Sequence, residues 1–280
     1  MSEFLITICI TNYNSSDFTL NAIYCLKKIT KNPYKIIIRD NNSRLKEYLK
    51  LKNKIKNLSN VELYRIDNLN IPLAKASLAH ALALNDMISR IDTKYGAVID
   101  SDFTFLYKNW DVILINELNQ KYPIIGTQAP VSKNSDKLKD FPYMFGFFFY
   151  TDIMHSLNID FKPDYDNLRK KDTGYKLREK YLENGYEGKL LLFRNTRDYK
   201  QGPFRNLTCA EYYLEGHNEI FGSHFGRGST LGAQKYLSGK KLSIYSIPII
   251  RKYILKLKGK VERKKWIHIC KNIVNNQNSK

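Results

Sequence analysis

The sequence predicts an α/β protein, a mainly parallel, doubly wound sheet flanked by helices, with a basic helical tail. Three observations carry that expectation. Strand-like runs recur at 4–10, 35–40, 61–67 and 96–100, and the first of them is continuously apolar with β-branched residues, as a central parallel strand requires. The stretches between them place apolar residues at helical spacing, and alternation of the two kinds argues crossovers between parallel strands. The runs also end in polar residues, which a parallel sheet gathers on one rim, where ligands of such sheets bind.

In chain order, FLITICI (4–10) forms the first strand. Ser15–Thr30 is a helix, with Phe18, Ile23, Leu26 and Ile29 on one face and Ser/Asp capping signals at its start. KIIIRD (35–40) is the second strand, RLKEYLKLKNKIKNLS (44–59) a strongly basic helix, and VELYRID (61–67) the third strand. Pro72 opens a long helix to about Ile91, built on Leu73, Ala76, His80, Ala83 and Met87. GAVID (96–100) is the fourth strand, and after Phe105 the pattern becomes irregular, through PIIGTQ (123–128) and the aromatic run 141–158. DTGYKLREKYLENG (172–185) reads as a helix starting at Asp172 and stopped by Gly185. Strands are expected at 189–193 and 218–226. The organisation is one domain in two halves, 1–105 and 106–238, followed by the tail, 239–280. There is no internal repeat.

The 280 residues are 43% hydrophobic and 13% aromatic, a globular composition, with a formal net charge of +19. MSEFLITICITNYN lacks the basic flank of a secretory signal, and the longest apolar runs, such as 143–150, are too short to span a bilayer. A cytoplasmic protein is expected, peripheral at most on the inner face of the cell membrane. Cys9, Cys25, Cys209 and Cys270 form no C-x-x-C pair, and Cys9 and Cys25 sit among apolar neighbours, as buried free thiols do. The charge is uneven: residues 240–280 hold twelve Lys or Arg against one acid, Glu262. A basic balance is also the footprint of nucleic-acid binding. Here there is no RNP-like box, zinc finger or recognition helix, so no nucleic-acid partner is expected.

The strand ends read Thr11-Asn12-Tyr13-Asn14, Asp40-Asn41-Asn42-Ser43 and Asp100-Ser101-Asp102. No G-x-G-x-x-G follows the first strand and no G-x-x-x-x-G-K-[ST] occurs, which removes the dinucleotide-dehydrogenase and P-loop readings. Asp100 and Asp102 repel each other and are costly to desolvate. Either they open an ordinary turn, or they face a hard divalent cation, Mn²⁺ or Mg²⁺, which carboxylate oxygens suit.

In order and spacing, ITICITNYN, IIIRDNNS, NLNIPLAKA, AVIDSDF, FGFFFYTDIM, DTGYKLRE and HFGRGS resemble the GT-A-fold glycosyltransferases, particularly the large inverting family 2 type, over roughly residues 4–230. The resemblance implies a metal-dependent, inverting, hexosyltransferase-type enzyme that moves a sugar from a nucleotide-sugar to a glycan or lipid-linked acceptor in surface polysaccharide synthesis. It implies Asp102 as the direct metal ligand, Asp100 on the ribose or on the metal through water, and Ser101 between them. His224 becomes a third ligand, with Arg227 and Ser229 donating to phosphate. Thr11, Asn12 and Tyr13 form the nucleobase loop, and Asp40 resembles the residue that accepts the uracil N3–H, which favours a UDP-sugar. Lys75 falls near the donor pyrophosphate, and Gly146 lets the donor loop approach the sugar. Asp172 stands at the catalytic-base position, with Lys171 where the family pattern has an acid; by local sequence it is a helix N-cap. His80, His155, His217 and His268 read as structural or surface residues.

The tail mixes cations with an apolar stripe of Ile254, Leu257, Val261, Trp266 and Ile269. Such a segment either lies on an anionic membrane or packs back on the domain. Two other classes compete with the glycosyltransferase reading: a basic nucleic-acid-binding protein, and a sugar nucleotidyltransferase. The latter wants a Gly-rich basic loop after strand one, which TNYNSSDF lacks.

Overall fold

A computed structural model describes residues 3–67, 76–130, 139–164, 171–226 and 248–278. Strands β1 (Ile6–Asn12), β2 (Tyr34–Asp40), β3 (Val61–Arg65) and β4 (Tyr95–Asp100) pair in parallel in the order β3-β2-β1-β4. The crossovers carry helices α1 (Ser16–Ile29), α2 (Leu45–Ile55) and α3 (Ala76–Ser89). Successive side chains of a strand point to opposite faces, and two cores result. Ile8, Ile10, Ile36, Ile38 and Ile99 face α1 and α2, whereas Cys9, Ile37 and Val98 face α3. This explains why Ile8-Cys9-Ile10 and Ile36-Ile37-Ile38 are apolar at consecutive positions rather than alternating. Asn12 pairs with Asp40 and Thr11 with Asp100, so the strand ends share one rim.

Beyond β4 the sheet becomes mixed. The chain adds β5 (Phe103–Phe105), α4 (Trp110–Glu117), β6 (Ile124–Thr127), β7 (Gly146–Tyr150), α5 (Thr151–Ser156), α6 (Tyr175–Glu183), β8 (Gly188–Asn195), β9 (Ala210–Tyr213) and β10 (Gly222–His224). The ten-stranded order continues β4-β7-β6-β8-β9-β10-β5. Among the described residues of this half, only β6 and β8 pair in parallel. The segment 123–128, expected to be irregular, contains β6, and the aromatic run resolves into β7 and then α5. The strand expected over 218–226 shortens to the three residues of β10. The expected α/β class, a sheet flanked by helices with a helical tail, is the one observed.

The final helix, α7 (Pro248–Asn278), has its side chains described over 257–277 and lies along α1 in the same direction. Arg263 meets Asp17, Trp266 meets Phe18, and Asn275 accepts from the Tyr24 hydroxyl at 2.8 Å. The face turned inward is Gly259, Arg263, Trp266, Cys270 and Val274, a three-to-four-residue repeat. This corrects the stripe read from sequence. Leu257 and Val261 are exposed, Ile269 is half-buried, and the Ile254 side chain lies outside the described residues. Apolar spacing alone did not select the face, because an aromatic pocket for one tryptophan outweighs two aliphatic contacts. No described helix is long and apolar enough to cross a membrane. All four cysteines are free and buried, and burial pushes the Cys25 thiol up to about 12.

Candidate active site

Asp100 closes β4 on the rim, and Asp102 sits in the turn before β5. The third member arrives from far along the chain. Strand β10 pairs antiparallel with β5, His224 opposite Phe103, and the Phe225 N–H donates to the Asp102 carbonyl at 2.9 Å. His224 Nε2 thereby lies 3.2 Å from Asp102 Oδ1 and 3.6 Å from Asp100 Oδ2. One ligand atom from each of the three residues falls within 4.8 Å of the others. Asp102 and His224 are buried and Asp100 half-buried. Two carboxylates and an imidazole at this spacing fit a hard to intermediate divalent cation, which would offset the carboxylate repulsion.

The surrounding wall is aromatic. The Asp100 N–H donates to the Phe145 carbonyl at 2.9 Å, and the Phe145 ring lies 4.3 Å from the His224 imidazole. Tyr143 packs edge-on to Phe145 at 4.8 Å and donates its hydroxyl to Asp172 Oδ2 at 3.2 Å. Burial first, then the negative charge and hydrogen bond of Asp172 and the charge of Asp100, push the Tyr143 phenol well above its ordinary value. It is therefore a protonated donor standing between the Asp100-Asp102-His224 cluster and Asp172.

Asp172 is not the helix cap that its local sequence predicts. Helix α6 begins at Tyr175, and Gly174 (φ +74) holds the cap position; a side chain there would also collide with Met144. Asp172 is left in the preceding turn, its Oδ1 accepting the Thr173 N–H at 2.8 Å. The Thr173 hydroxyl is tied to the Ser77 carbonyl of α3 at 2.8 Å. The expected stop at Gly185 holds, with φ +78.

The two nucleobase-side loops are stitched together. Asn12 Nδ2 donates to Asp40 Oδ2 at 2.7 Å, while its Oδ1 accepts from Thr19 at 2.8 Å and Ser15 at 3.0 Å. Asp40 is fully buried and also accepts the Ser43 N–H at 2.9 Å and hydroxyl at 2.6 Å. Asn14 and Asn42 take left-handed turns that bring the loops together. Tyr13 is exposed on the rim, and the buried Thr11 hydroxyl oxygen has no hydrogen-bond partner among the described residues. Ser101 is nearly buried in the D-S-D turn. Gly146 lies in β7 opposite Ile99, where a Cβ would stand 2.9 Å from the Phe103 ring. Lys75, Arg227 and Ser229 lie outside the described residues.

His80 belongs to this site although its sequence setting gave no sign of it. From α3 its Nε2 stands 3.3 Å from Asp100 Oδ1, on the oxygen opposite the one that faces His224. Nothing local marks it; the contact exists only because α3 packs across β1 and β2. Partners of this kind orient metal-binding carboxylates. His80→Ala is expected to weaken Mn²⁺ binding about tenfold, read by the signal of free Mn²⁺ in electron paramagnetic resonance. His80→Gln, which keeps a donor, should lose less.

Residues 7–177 match the family model described as glycosyl transferase family 2. No curated protein matches the chain in sequence. Among solved structures, a mannosyltransferase from Pyrobaculum calidifontis in complex with GDP-Man and Mn²⁺ aligns over 68% of this chain and 55% of its own, at 10% identity and a TM-score of 0.48. Residues 1–349 of TarS from S. aureus align over 56% of this chain and 50% of that one, at 13% identity and a TM-score of 0.41. The chain thus spans about half the length of these structures. With the family model covering more than half of its residues, the chain belongs to glycosyl transferase family 2.

Proposed function

We infer that this chain transfers a sugar from a nucleotide-sugar, a UDP-sugar in the first instance, to a glycan or lipid-linked acceptor in surface polysaccharide synthesis, with inversion. The observation that carries the reading is the convergence of Asp100, Asp102 and His224 from distant parts of the chain, with Asp172 reached across Tyr143. Asp100, Asp102 and His224 would hold Mn²⁺ or Mg²⁺, a Lewis acid for the departing diphosphate. The UDP preference rests on the place of Asp40 in the family's motif order and on Tyr13, exposed for stacking on a base.

Asp172 takes the proton of the acceptor hydroxyl as that oxygen bonds to the anomeric carbon. The bond from that carbon to the phosphate oxygen breaks, its electrons leaving with the nucleoside diphosphate. Tyr143 and the Thr173 N–H each hold one Asp172 oxygen, so the base is oriented before substrate arrives. Asp172→Asn is expected to lower transfer by about 10²–10⁴-fold. The same variant should keep the wild-type rise in melting temperature with UDP and Mn²⁺. Preference for GDP or CMP in that assay would keep the enzyme class and overturn the role given to Asp40. A folded wild type indifferent to every nucleotide would overturn the reading itself.

A further inference from the structure

Two helices on one face of the sheet share a pattern that sugar transfer does not use. On α2, Leu45 and Leu49 stand one turn apart, 63% and 42% exposed, and the same ridge continues into the exposed Lys52 and Lys56. On α7, Leu257 and Val261 stand one turn apart, 45% and 52% exposed, and their ridge continues into the exposed Lys264 and His268. Single exposed aliphatics are ordinary. Two matched pairs, each followed by an exposed lysine on its own ridge, are not.

The two ridges are held side by side. Asp17, in the first turn of α1, is paired with Lys50 of α2 and, at 3.2 Å, with Arg263 of α7. Residue 16 of α1 is likewise bonded to Glu47 of α2. Since α1 starts directly after the rim end of β1, these contacts place both aliphatic pairs at the rim that carries Asp40, Asp100 and the exposed Tyr13. The charge is one-sided. Residues 44–56 hold six cations against Glu47, and residues 257–265 hold five against Glu262.

We propose that α2 and the 257–265 stretch of α7 form one docking surface for an anionic lipid bilayer. The aliphatic pairs enter the interface beside the site rim, and the lysines and arginines that flank them lie on the headgroups. A bilayer accounts for both halves of the pattern. Duplex nucleic acid would pair with the cations and leave four aliphatic side chains in water. The placement also sets the rim where a lipid-linked acceptor would present its reacting end; for that purpose, though not for binding, the inference rests on the proposed function.

The test is flotation of the full chain with phosphatidylcholine vesicles, with and without about one third phosphatidylglycerol, at low and high salt. Neither nucleotide nor metal is present, so the result is independent of whether the active-site reading holds. Binding is expected only to the anionic vesicles, falling as salt rises. Leu45→Ser with Leu49→Ser, and separately Leu257→Ser with Val261→Ser, should each weaken it about tenfold, with unchanged melting temperature because the side chains are exposed. Equal binding to neutral vesicles overturns the proposal. So does wild-type binding by both double variants, or displacement from vesicles by duplex DNA that the double variants bind as well as wild type, which would assign the surface to a polyanion.

Discussion

Asp102→Asn is expected to abolish the rise in melting temperature that Mn²⁺ with a nucleoside diphosphate gives the wild type, and to lower sugar transfer by about 10³-fold. Asparagine keeps the shape of the side chain and an oxygen that can face His224 at the observed 3.2 Å, so the turn before β5 should fold. What disappears is the charge. In a buried position beside Asp100 that charge is one a bound cation would offset, and its removal ends the repulsion between the two carboxylates. The metal-free variant should therefore melt no lower than wild type. A ligand at about 100 times its Kd stabilises a fold by about 2.7 kcal/mol, which makes the lost response easy to see. Asp100→Asn should cost less, because Asp100 is more exposed and shares its oxygens between His80 and His224. An Asp102→Asn protein with the full Mn²⁺ response would remove Asp102 from the metal site.

Trp266→Ala should cost about 3–5 kcal/mol of stability, the range for emptying a large aromatic site. Trp266 is fully buried among Phe18, Phe225 and Phe204, at ring separations of 5.8, 6.0 and 6.3 Å. Its indole N–H donates to the Ser223 hydroxyl at 2.9 Å, which in turn donates to the Ala210 carbonyl at 2.9 Å. Trp266→Phe keeps most of the packing and loses that bond, for about 1 kcal/mol. Urea unfolding measures both. Because Ser223 adjoins His224, the alanine variant should also bind Mn²⁺ more weakly, an effect absent from a purely peripheral helix. A loss below about 1 kcal/mol for the alanine variant would mean that α7 does not seal this face.

What the sequence made legible follows from how local each feature is. Strands β1, β2 and β4 announce themselves because burial on both faces makes consecutive positions apolar, as in Ile36, Ile37 and Ile38. The paired aspartates and His224 were readable from motif order, and the structure brings the three together. The short strands β5 and β9 were not, since three or four residues carry no period and their pairing comes from β10 and, for β9, also from β8. Helix α4 was missed for a related reason: WDVILINE holds four consecutive apolar residues, VILI, with no helical spacing, and its start is set by Asn109 at φ +58. His80 and Tyr143 gained their meaning only when α3 and the aromatic segment came to rest against Asp100 and Asp172. Asp172 shows the opposite failure, where a sound local rule for helix starts is displaced by a glycine two residues later.

The tie between β5, β10 and α7 has a consequence for how the chain is made. His224 lies 122 positions after Asp102. At about 5–20 residues per second, a ribosome needs roughly 6–24 s to supply it, and longer to supply Trp266 behind it. During that interval the parallel strands can assemble from contacts close in sequence, while the two carboxylates wait without their imidazole. Cation binding at this cluster would therefore be a late event in the life of the nascent chain, one that reports completion of the sheet's far edge. A refolding experiment that follows Mn²⁺ uptake and tryptophan burial together should find the two rising in step.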